Sequence, residues 1–216
     1  LETEGWIYSS GNNISRVTKR DVLIADDFKK FIVDTNPDLT EDEVTQIFDN
    51  VRLVGSESDF ATLHKVYGWM VNGIQFTPQD GIARMIPLID FKKDSNKNIF
   101  RVVNQFTVEY TNNGQKENRR PDVLLFVNGM PLCVIELKNP ADANATIYDA
   151  WEQINIRYWR DIPHLLHYCT LACISDGVKT RLGTVHTPYE HFYAWRRVND
   201  GDAVYTLPFE ETETMI

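Results

Sequence analysis

Three reactive side chains lie close together in the segment of residues 119–140, RRPDVLLFVNGMPLCVIELKNP. Asp122 precedes one apolar run, and Glu136 and Lys138 follow a second run. Between the runs stands Asn128-Gly129, a dipeptide typical of a two-residue β-hairpin turn. The segment therefore predicts two antiparallel strands with two carboxylates and one ammonium at the open end of the hairpin.

These side chains could hold a metal ion and act on a phosphodiester. Strand side chains alternate between faces, so Glu136 and Lys138 share a face, and antiparallel pairing brings Asp122 beside them. Mg²⁺ prefers hard oxygen ligands and keeps several waters, so one or two carboxylates suffice. We predict Asp122 and Glu136 as ligands, with the backbone carbonyl of Leu137 as a third. Lys138 would stabilise the transition state or orient the attacking water.

A helix predicted over Ala143 to Arg160 follows the hairpin and supplies supporting candidates. Gln153 and Arg157 are four residues apart, so a regular helix would place them side by side, in reach of Lys138 or the scissile phosphate. An exposed polar face explains this pair equally well. For the hairpin, the competing interpretation is a solvated sheet end, but the string of Pro-Asp, hairpin and E-L-K favours a functional site.

The residues before the hairpin predict an acidic helical block and then strands. The first 60 residues hold 13 acidic and 6 basic side chains, a capping box starts one helix at Thr40, and Ser58 starts another. Beyond residue 71 four β-rich runs predict an antiparallel meander: Arg84–Phe91, Ile99–Tyr110, Val123–Val127 and Leu132–Leu137. We therefore expect a helical block over 1–71, packed on a core and C-terminal extension over 72–216.

Composition restricts the class of protein. The chain has 216 residues, 43% of them hydrophobic and 25% charged, as in ordinary soluble globular proteins. No apolar run approaches the roughly 18 residues of a membrane helix, so no membrane partner is expected. Three cysteines without framework spacing favour a reducing cytoplasm.

The net charge of −9 argues against a protein that coats nucleic acid. The segment 119–197 is nearly neutral, however, with 8 acidic and 9 basic side chains. Its basic residues are candidates for local phosphate contacts, although plain surface positions explain most of them. They are Arg119, Arg120, Lys138, Arg157, Arg160, Lys179, Arg181, Arg196 and Arg197.

Three strings resemble the nuclease domain of type I restriction enzyme R (restriction) subunits, which belong to the PD-(D/E)xK nuclease superfamily. They are Arg120-Pro121-Asp122, the turn VNGMPL of residues 127–132, and ELKNP of residues 136–140. The resemblance covers about residues 70–197 and is quite specific between 127 and 140. Further matches are Asn104-Gln105, Ile162-Pro163, Ser175-Asp176-Gly177, Gly183 and Trp195.

The resemblance implies a restriction-endonuclease-like α/β core, with a mixed central sheet flanked by helices and, here, an acidic N-terminal helical elaboration. It implies a type I site-specific deoxyribonuclease that cleaves double-stranded DNA with Mg²⁺, Asp122 and Glu136 being metal ligands and Lys138 the catalytic lysine. In that family an ATP-driven translocase follows the nuclease, and methylation and specificity subunits complete the complex. The sequence lacks a G-x4-GK[ST] phosphate loop, so ATP is expected only through a translocase beyond these residues.

Two departures from the family pattern carry consequences. Related nucleases often show Gln-x3-Tyr after the lysine, whereas here Arg157 stands four residues after Gln153 and Tyr158 stands five after it. A regular helix would turn Tyr158 by about 100° from the expected position. The family's metal-site glutamate of the first helix is expected before Leu1, so these residues alone would bind metal weakly and cleave poorly.

Two other functions fit the same residues. The chain could be another PD-(D/E)xK nuclease, such as a DNA repair enzyme. It could also be a catalytically weak interaction module whose acidic helical block binds a partner.

Overall fold

The computed structural model describes residues 2–55, 58–92, 96–139 and 146–194. Several features named above fall outside these ranges. They are Pro140, the start of the predicted helix at Ala143, Trp195, Arg196, Arg197 and the C-terminal extension. Among the described residues, no helix has the length and apolar character needed to cross a membrane.

Helices and strands alternate irregularly along the chain. The strands are β1 (Ile7–Ser10), β2 (Ile74–Phe76), β3 (Arg84–Ile86), β4 (Phe100–Asn104), β5 (Val108–Asn112), β6 (Gln115–Arg119), β7 (Val123–Val127), β8 (Met130–Leu137), β9 (Leu171–Ser175), β10 (Thr180–Gly183) and β11 (Tyr193–Ala194). The α-helices are α1 (Ala25–Thr35), α2 (Glu41–Arg52), α3 (Asp59–Asn72), α4 (Ile147–Glu152), α5 (Trp159–Asp161) and α6 (Pro163–Leu166). Short 3₁₀ turns cover Glu2–Glu4, Gly11–Asn13 and Tyr189–His191.

A seven-stranded sheet forms the centre of the molecule, in the order β1-β4-β7-β8-β9-β10-β11. The pairs β1/β4 and β8/β9 are parallel, and the other neighbours are antiparallel. The protein is therefore a mixed α/β protein with a mixed central sheet, as the resemblance implied. Strands β2 and β3 form a separate pair, as do β5 and β6.

The predicted meander is confirmed in part: β4, β7 and β8, which come from its last three runs, are consecutive antiparallel neighbours. The prediction of one strand over Ile99–Tyr110 is wrong, because Gln105 has a φ of 54° and breaks it into β4 and β5. Strand β5 leaves the main sheet to pair with β6. The run Arg84–Phe91 yields only the short β3, which pairs with β2.

The acidic helices form as their capping signals predict. The Thr40 hydroxyl accepts a hydrogen bond from the Glu43 amide, and the Glu43 carboxylate accepts one from the Thr40 amide (2.7 Å), which is a complete capping box. Ser58 caps α3 with a single hydrogen bond, which its hydroxyl accepts from the Ala61 amide. The buried faces of α1–α3 join those of the sheet in one apolar cluster that includes Phe28, Phe31, Ile47, Phe106 and Phe126.

The hairpin turn of β7 and β8 lies against the start of α1. The Ile24 amide donates to the Gly129 carbonyl oxygen (2.8 Å), and a Cβ at Gly129 would overlap the Ile24 carbonyl oxygen. The φ of Gly129 is 76°, so both its backbone conformation and its close contact require glycine.

The helix predicted to end at Arg160 is not regular. Its described part consists of α4, a π-helical turn over Gln153–Tyr158, and α5. A capping box at Thr146 begins α4. A π-helical turn closes i→i+5 hydrogen bonds and often occurs at functional sites.

Candidate active site

The β7–β8 hairpin positions the two carboxylates at its open end. Val123 pairs with Ile135, so Asp122 and Glu136 lie across from each other, and the Asp122 amide is 3.4 Å from Glu136 Oε1. At the closed end Asn128 is fully buried with a φ of 51°. Its side-chain oxygen accepts a hydrogen bond from the Ile99 amide at 2.7 Å. The predicted turn is therefore confirmed, and it fixes the register that brings the carboxylates together.

Glu136 is fully buried and is held by neutral donors. Its Oε1 accepts a hydrogen bond from the Tyr158 hydroxyl (2.6 Å), and its Oε2 accepts one from Gln153 Nε2 (2.6 Å). Burial raises the pKa of Glu136 to about 8, against the lowering effect of the Tyr158 hydrogen bond, and the Asp122 charge raises it further. The carboxyl group is thus short of compensating positive charge.

Lys138 is connected to this carboxylate through Gln153. Lys138 Nζ donates to Gln153 Oε1 at 2.7 Å, while the amide nitrogen of Gln153 donates to Glu136. The Lys138 backbone amide donates to the Ser175 carbonyl oxygen of β9 (2.8 Å), which extends the parallel β8–β9 ladder. Both ends of the Gln153 amide are therefore used to fix the ammonium relative to the carboxylate.

Asp122 accepts hydrogen bonds from two further neutral donors. Gln105 Nε2 donates to Oδ1 (3.0 Å), and the Leu137 backbone amide donates to Oδ2 (2.9 Å). The Gln105 backbone amide also donates to the Asp122 carbonyl oxygen (2.8 Å). Gln105 belongs to a dipeptide that resembles the family, Asn104-Gln105, but the sequence alone predicts no role for its side chain. Its side chain meets Asp122 because its positive φ turns the chain between β4 and β5.

The π-helical turn places Tyr158 beside Gln153, unlike the regular helix that the sequence predicts. A regular helix would separate Gln153 and Tyr158 by about 100°, but a π-helical turn places residues five apart on the same side. Gln153 Nε2 accordingly lies 2.8 Å from the Tyr158 hydroxyl, and both contact Glu136. Burial raises the pKa of Tyr158, so its hydroxyl remains a proton donor. The extra residue relative to Gln-x3-Tyr is absorbed inside the turn.

The supporting role of Arg157 beside Gln153 stays a prediction. Tyr158, rather than Arg157, lies beside Gln153, and Arg157 is exposed to solvent. Hydrogen bonds from Thr146 chiefly lower the pKa of Asp149, and the charges of Lys138 and Arg157 lower it slightly. The structure therefore brings together Asp122, Glu136, Lys138, Gln153 and Tyr158 and leaves Arg157 at the surface. The carbonyl of Leu137 as a metal ligand stays a prediction.

Fold and site together define a mixed α/β protein with two carboxylates and a lysine at the open end of a hairpin, supported from one helix. The model of a protein family described as the type I restriction enzyme R protein N terminus matches residues 1–191. The chain belongs to that family.

Relatives with this similarity are endonuclease subunits by name. The chain is 33% identical over 94% of its length to the type I restriction enzyme MjaIXP endonuclease subunit of Methanocaldococcus jannaschii. It is 29% identical over 98% of its length to the type I restriction enzyme HindI endonuclease subunit of Haemophilus influenzae. In both cases the match covers 20% of the relative, so the chain spans about a fifth of these proteins.

Proposed function

We propose that this chain is a PD-(D/E)xK endonuclease region that hydrolyses DNA phosphodiester bonds with Mg²⁺. The observation that carries the proposal is the connected arrangement of Asp122, Glu136 and Lys138, in which Gln153 joins the ammonium to the carboxylate. A solvated sheet end would not bury Glu136 completely or tie it to three donors.

The donor set fits a magnesium ion. Asp122 and Glu136 supply hard carboxylate oxygens, and within the described residues neither forms an ion pair with a cationic side chain. Burial raises the pKa of Glu136 to about 8, so without a cation the carboxyl group is mostly protonated near pH 7, and a bound cation would favour its ionised form. When bound, Mg²⁺ supplies neutralisation of charge on the phosphorus oxygens and activation of water.

The protein side chains have separable roles in this proposal. Lys138 holds its proton at Nζ and faces the charge that develops on the phosphate, aimed by the Gln153 carbonyl oxygen. Tyr158 and Gln153 orient the Glu136 carboxylate, while Gln105 and the Leu137 amide orient Asp122. Lys138 and the carboxylates are therefore the catalytic residues.

The matched relatives suggest the larger setting. Their names describe endonuclease subunits of type I restriction enzymes, and each is about five times as long as the matched region. We infer that the proposed nuclease acts on double-stranded DNA as part of such a cytoplasmic complex, with methylation and specificity subunits. ATP-driven translocation would reside in another part of the subunit. Residues 1–71 contribute strand β1 to the central sheet and would add helices α1–α3 to the proposed nuclease core of residues 72–216.

The test replaces Lys138 by alanine in the intact polypeptide, with its partner subunits. The Lys138→Ala variant is expected to lower Mg²⁺-dependent cleavage of plasmid DNA about 10²–10³-fold, the usual cost of losing one preorganised stabilising group. ATP hydrolysis should stay near the wild-type rate. Lys30→Ala, which removes an equal charge from an exposed helical ion pair, is the control. Wild-type cleavage by Lys138→Ala would refute the proposal.

The alternative of a catalytically weak interaction module is tested by calorimetry with Mg²⁺ or Mn²⁺. A binding heat that disappears in Asp122→Ala supports the nuclease. Unchanged metal binding in that variant would favour the interaction module.

A further inference from the structure

A polar pocket outside the proposed active site shares none of its residues and takes no part in the chemistry described above. Its volume is about 560 Å³. The β5–β6 hairpin, the chain at Arg20 and the segment from Arg160 to His164 enclose it. Three of its lining residues are arginines: Arg20, Arg119 and Arg160.

Asp161 holds two of these arginines together. Arg119 Nε donates to Asp161 Oδ2 at 2.7 Å, and Arg160 donates through Nε (2.7 Å) and Nη2 (2.9 Å). The Asp161 side chain is only 6% exposed, whereas that of Arg160 is 64% exposed. Hydrogen bonding from Arg160 chiefly lowers the pKa of Asp161, so the carboxylate stays ionised and fixes two guanidinium groups side by side.

The remaining charges leave the pocket positive. Arg20 is exposed and has no carboxylate partner within the described part of the chain. Glu117 is engaged by the Tyr110 hydroxyl (2.6 Å) and by Asn112 Nδ2 (2.8 Å). Burial lowers the pKa of His164 to about 4, so it is neutral at pH 7. Three arginines against two carboxylates give a net charge of +1 here, in a chain whose net charge is −9.

The chain itself sets the distance from this pocket to the proposed active site. Arg119 precedes Asp122 by three residues, which span at most about 11 Å when extended. Asp161 follows Tyr158 by three residues, so the two lie on one helical face. That face contacts Glu136 through Tyr158 and Arg119 through Asp161. Because a DNA strand rises about 3.4 Å per nucleotide, about three steps separate the pocket from the carboxylates.

We propose that Arg20, Arg119 and Arg160 bind a backbone phosphate of the DNA strand within about three nucleotides of the scissile bond. The proposal rests on the nuclease function proposed above and adds a substrate-binding site to it. Guanidinium groups match phosphate oxygens with paired donors, and two guanidinium groups held by one carboxylate are preorganised for that contact. The contact positions the strand and reads no sequence.

The experiment measures binding of a short labelled DNA duplex to the intact polypeptide by fluorescence anisotropy, over a salt series in a chelating buffer that prevents cleavage. Arg160→Ala is expected to lower the magnitude of the slope of log K against log salt concentration by up to about 0.9, the value for the loss of one whole phosphate contact. Affinity should fall several-fold. Lys30→Ala is the matched control, because Lys30 is 65% exposed and is also paired with one carboxylate.

Further variants separate charge from structure. Arg160→Lys keeps the charge and should restore the wild-type slope, and Arg20→Ala should lower the slope as Arg160→Ala does. An unchanged slope in both alanine variants, or a change of the same size in Lys30→Ala, would overturn the proposal. If Lys138→Ala is inactive and the slopes are unchanged, this phosphate site alone fails. If Lys138→Ala cleaves normally, the nuclease function itself fails.

Discussion

Two carboxylates at the same helical face have opposite surroundings: Tyr158 of that face contacts Glu136, and Asp161 belongs to the face itself. Glu136 is fully buried among neutral donors, and burial raises its pKa to about 8. Asp161, three residues beyond Tyr158, binds two guanidinium groups that lower its pKa. Both carboxylates accept short hydrogen bonds, so the two sites do not differ in how firmly the side chain is held.

The difference lies in which charge each carboxylate still lacks. Glu136 has no cationic partner in direct contact among the described residues, so with Asp122 it is suited to accept a metal ion. The negative charge of Asp161 is already compensated by Arg119 and Arg160, so this carboxylate is unsuited to a metal ion. It holds the two guanidinium groups where an anion could bind them. We infer that one end of this face would hold a cation and the other end would hold the polyanionic substrate.

The largest effect is expected on DNA cleavage, when a substitution alters the surroundings of Glu136 and leaves those of Asp161 unchanged. Tyr158→Phe removes the hydroxyl that orients Glu136 and leaves Asp161 and its arginines untouched. Loss of such an orienting group typically lowers metal affinity or activity about 10–100-fold. We expect that loss in Mg²⁺-dependent cleavage, together with wild-type affinity for DNA in chelating buffer. A drop in DNA affinity without a drop in cleavage would contradict the assignment of metal binding to the Glu136 site and of DNA binding to the Asp161 site.

A second prediction concerns stability against pH in metal-free buffer. The pKa of Glu136 rises from 4.5 to about 8 on folding, so its stabilising contribution is complete below pH 4.5 and is lost as the pH rises towards 8. Its size is of the order of a few kcal/mol. The Asp161 contribution is present above its unfolded pKa of 3.8 and is lost as the pH falls below it.

Urea unfolding at a series of pH values measures both effects. Subtracting the curve of Glu136→Gln from wild type should give a difference that falls between pH 4.5 and 8. The same subtraction with Asp161→Asn should give a difference in the free energy of unfolding that decreases only when the pH is lowered into the acidic range. Parallel differences for the two variants would show that their environments are alike.

The smallest effect is expected from shortening the helix that joins the two sites. Deleting the exposed Ile156 restores the Gln-x3-Tyr spacing and should convert the π-helical turn to a regular α-helix. Both flanks keep their register, so cleavage and the salt slope should stay within about threefold of wild type, close to neutral on the scale of 1.4 kcal/mol per tenfold. Deleting the exposed Asn50 inside α2 is the control, because it turns every later residue of that helix and should destabilise the fold. Inactivation by the Ile156 deletion would show that the π-helical turn has a role beyond spacing.

The hairpin was predictable because its signals are local. Asn128-Gly129 defines the turn, and the two-residue period then places Glu136 and Lys138 on one face and Asp122 across from them. The capping box of α2 and the Ser58 cap of α3 were predictable for the same reason. In each case the residues that determine the conformation are within a few positions of one another.

The rest depended on long-range contacts or on weak signals. Strand β6 is QKENR, wholly polar, and only the preceding Asn113-Gly114 turn indicated it. The role of Gln105 requires knowledge that the chain turns sharply after β4. The π-helical turn gave one signal, the offset of five between Gln153 and Tyr158. That offset is a departure from the family spacing only in a regular helix.

The contact between Gly129 and α1 has a mechanical consequence. Since α1 rests on the turn with no room for a side chain, a displacement of α1 must also move the turn. Strand β7 has five residues, so that movement would be transmitted over about 17 Å to the spacing of Asp122 and Glu136. A displacement of α1 would thereby reach the two carboxylates through β7.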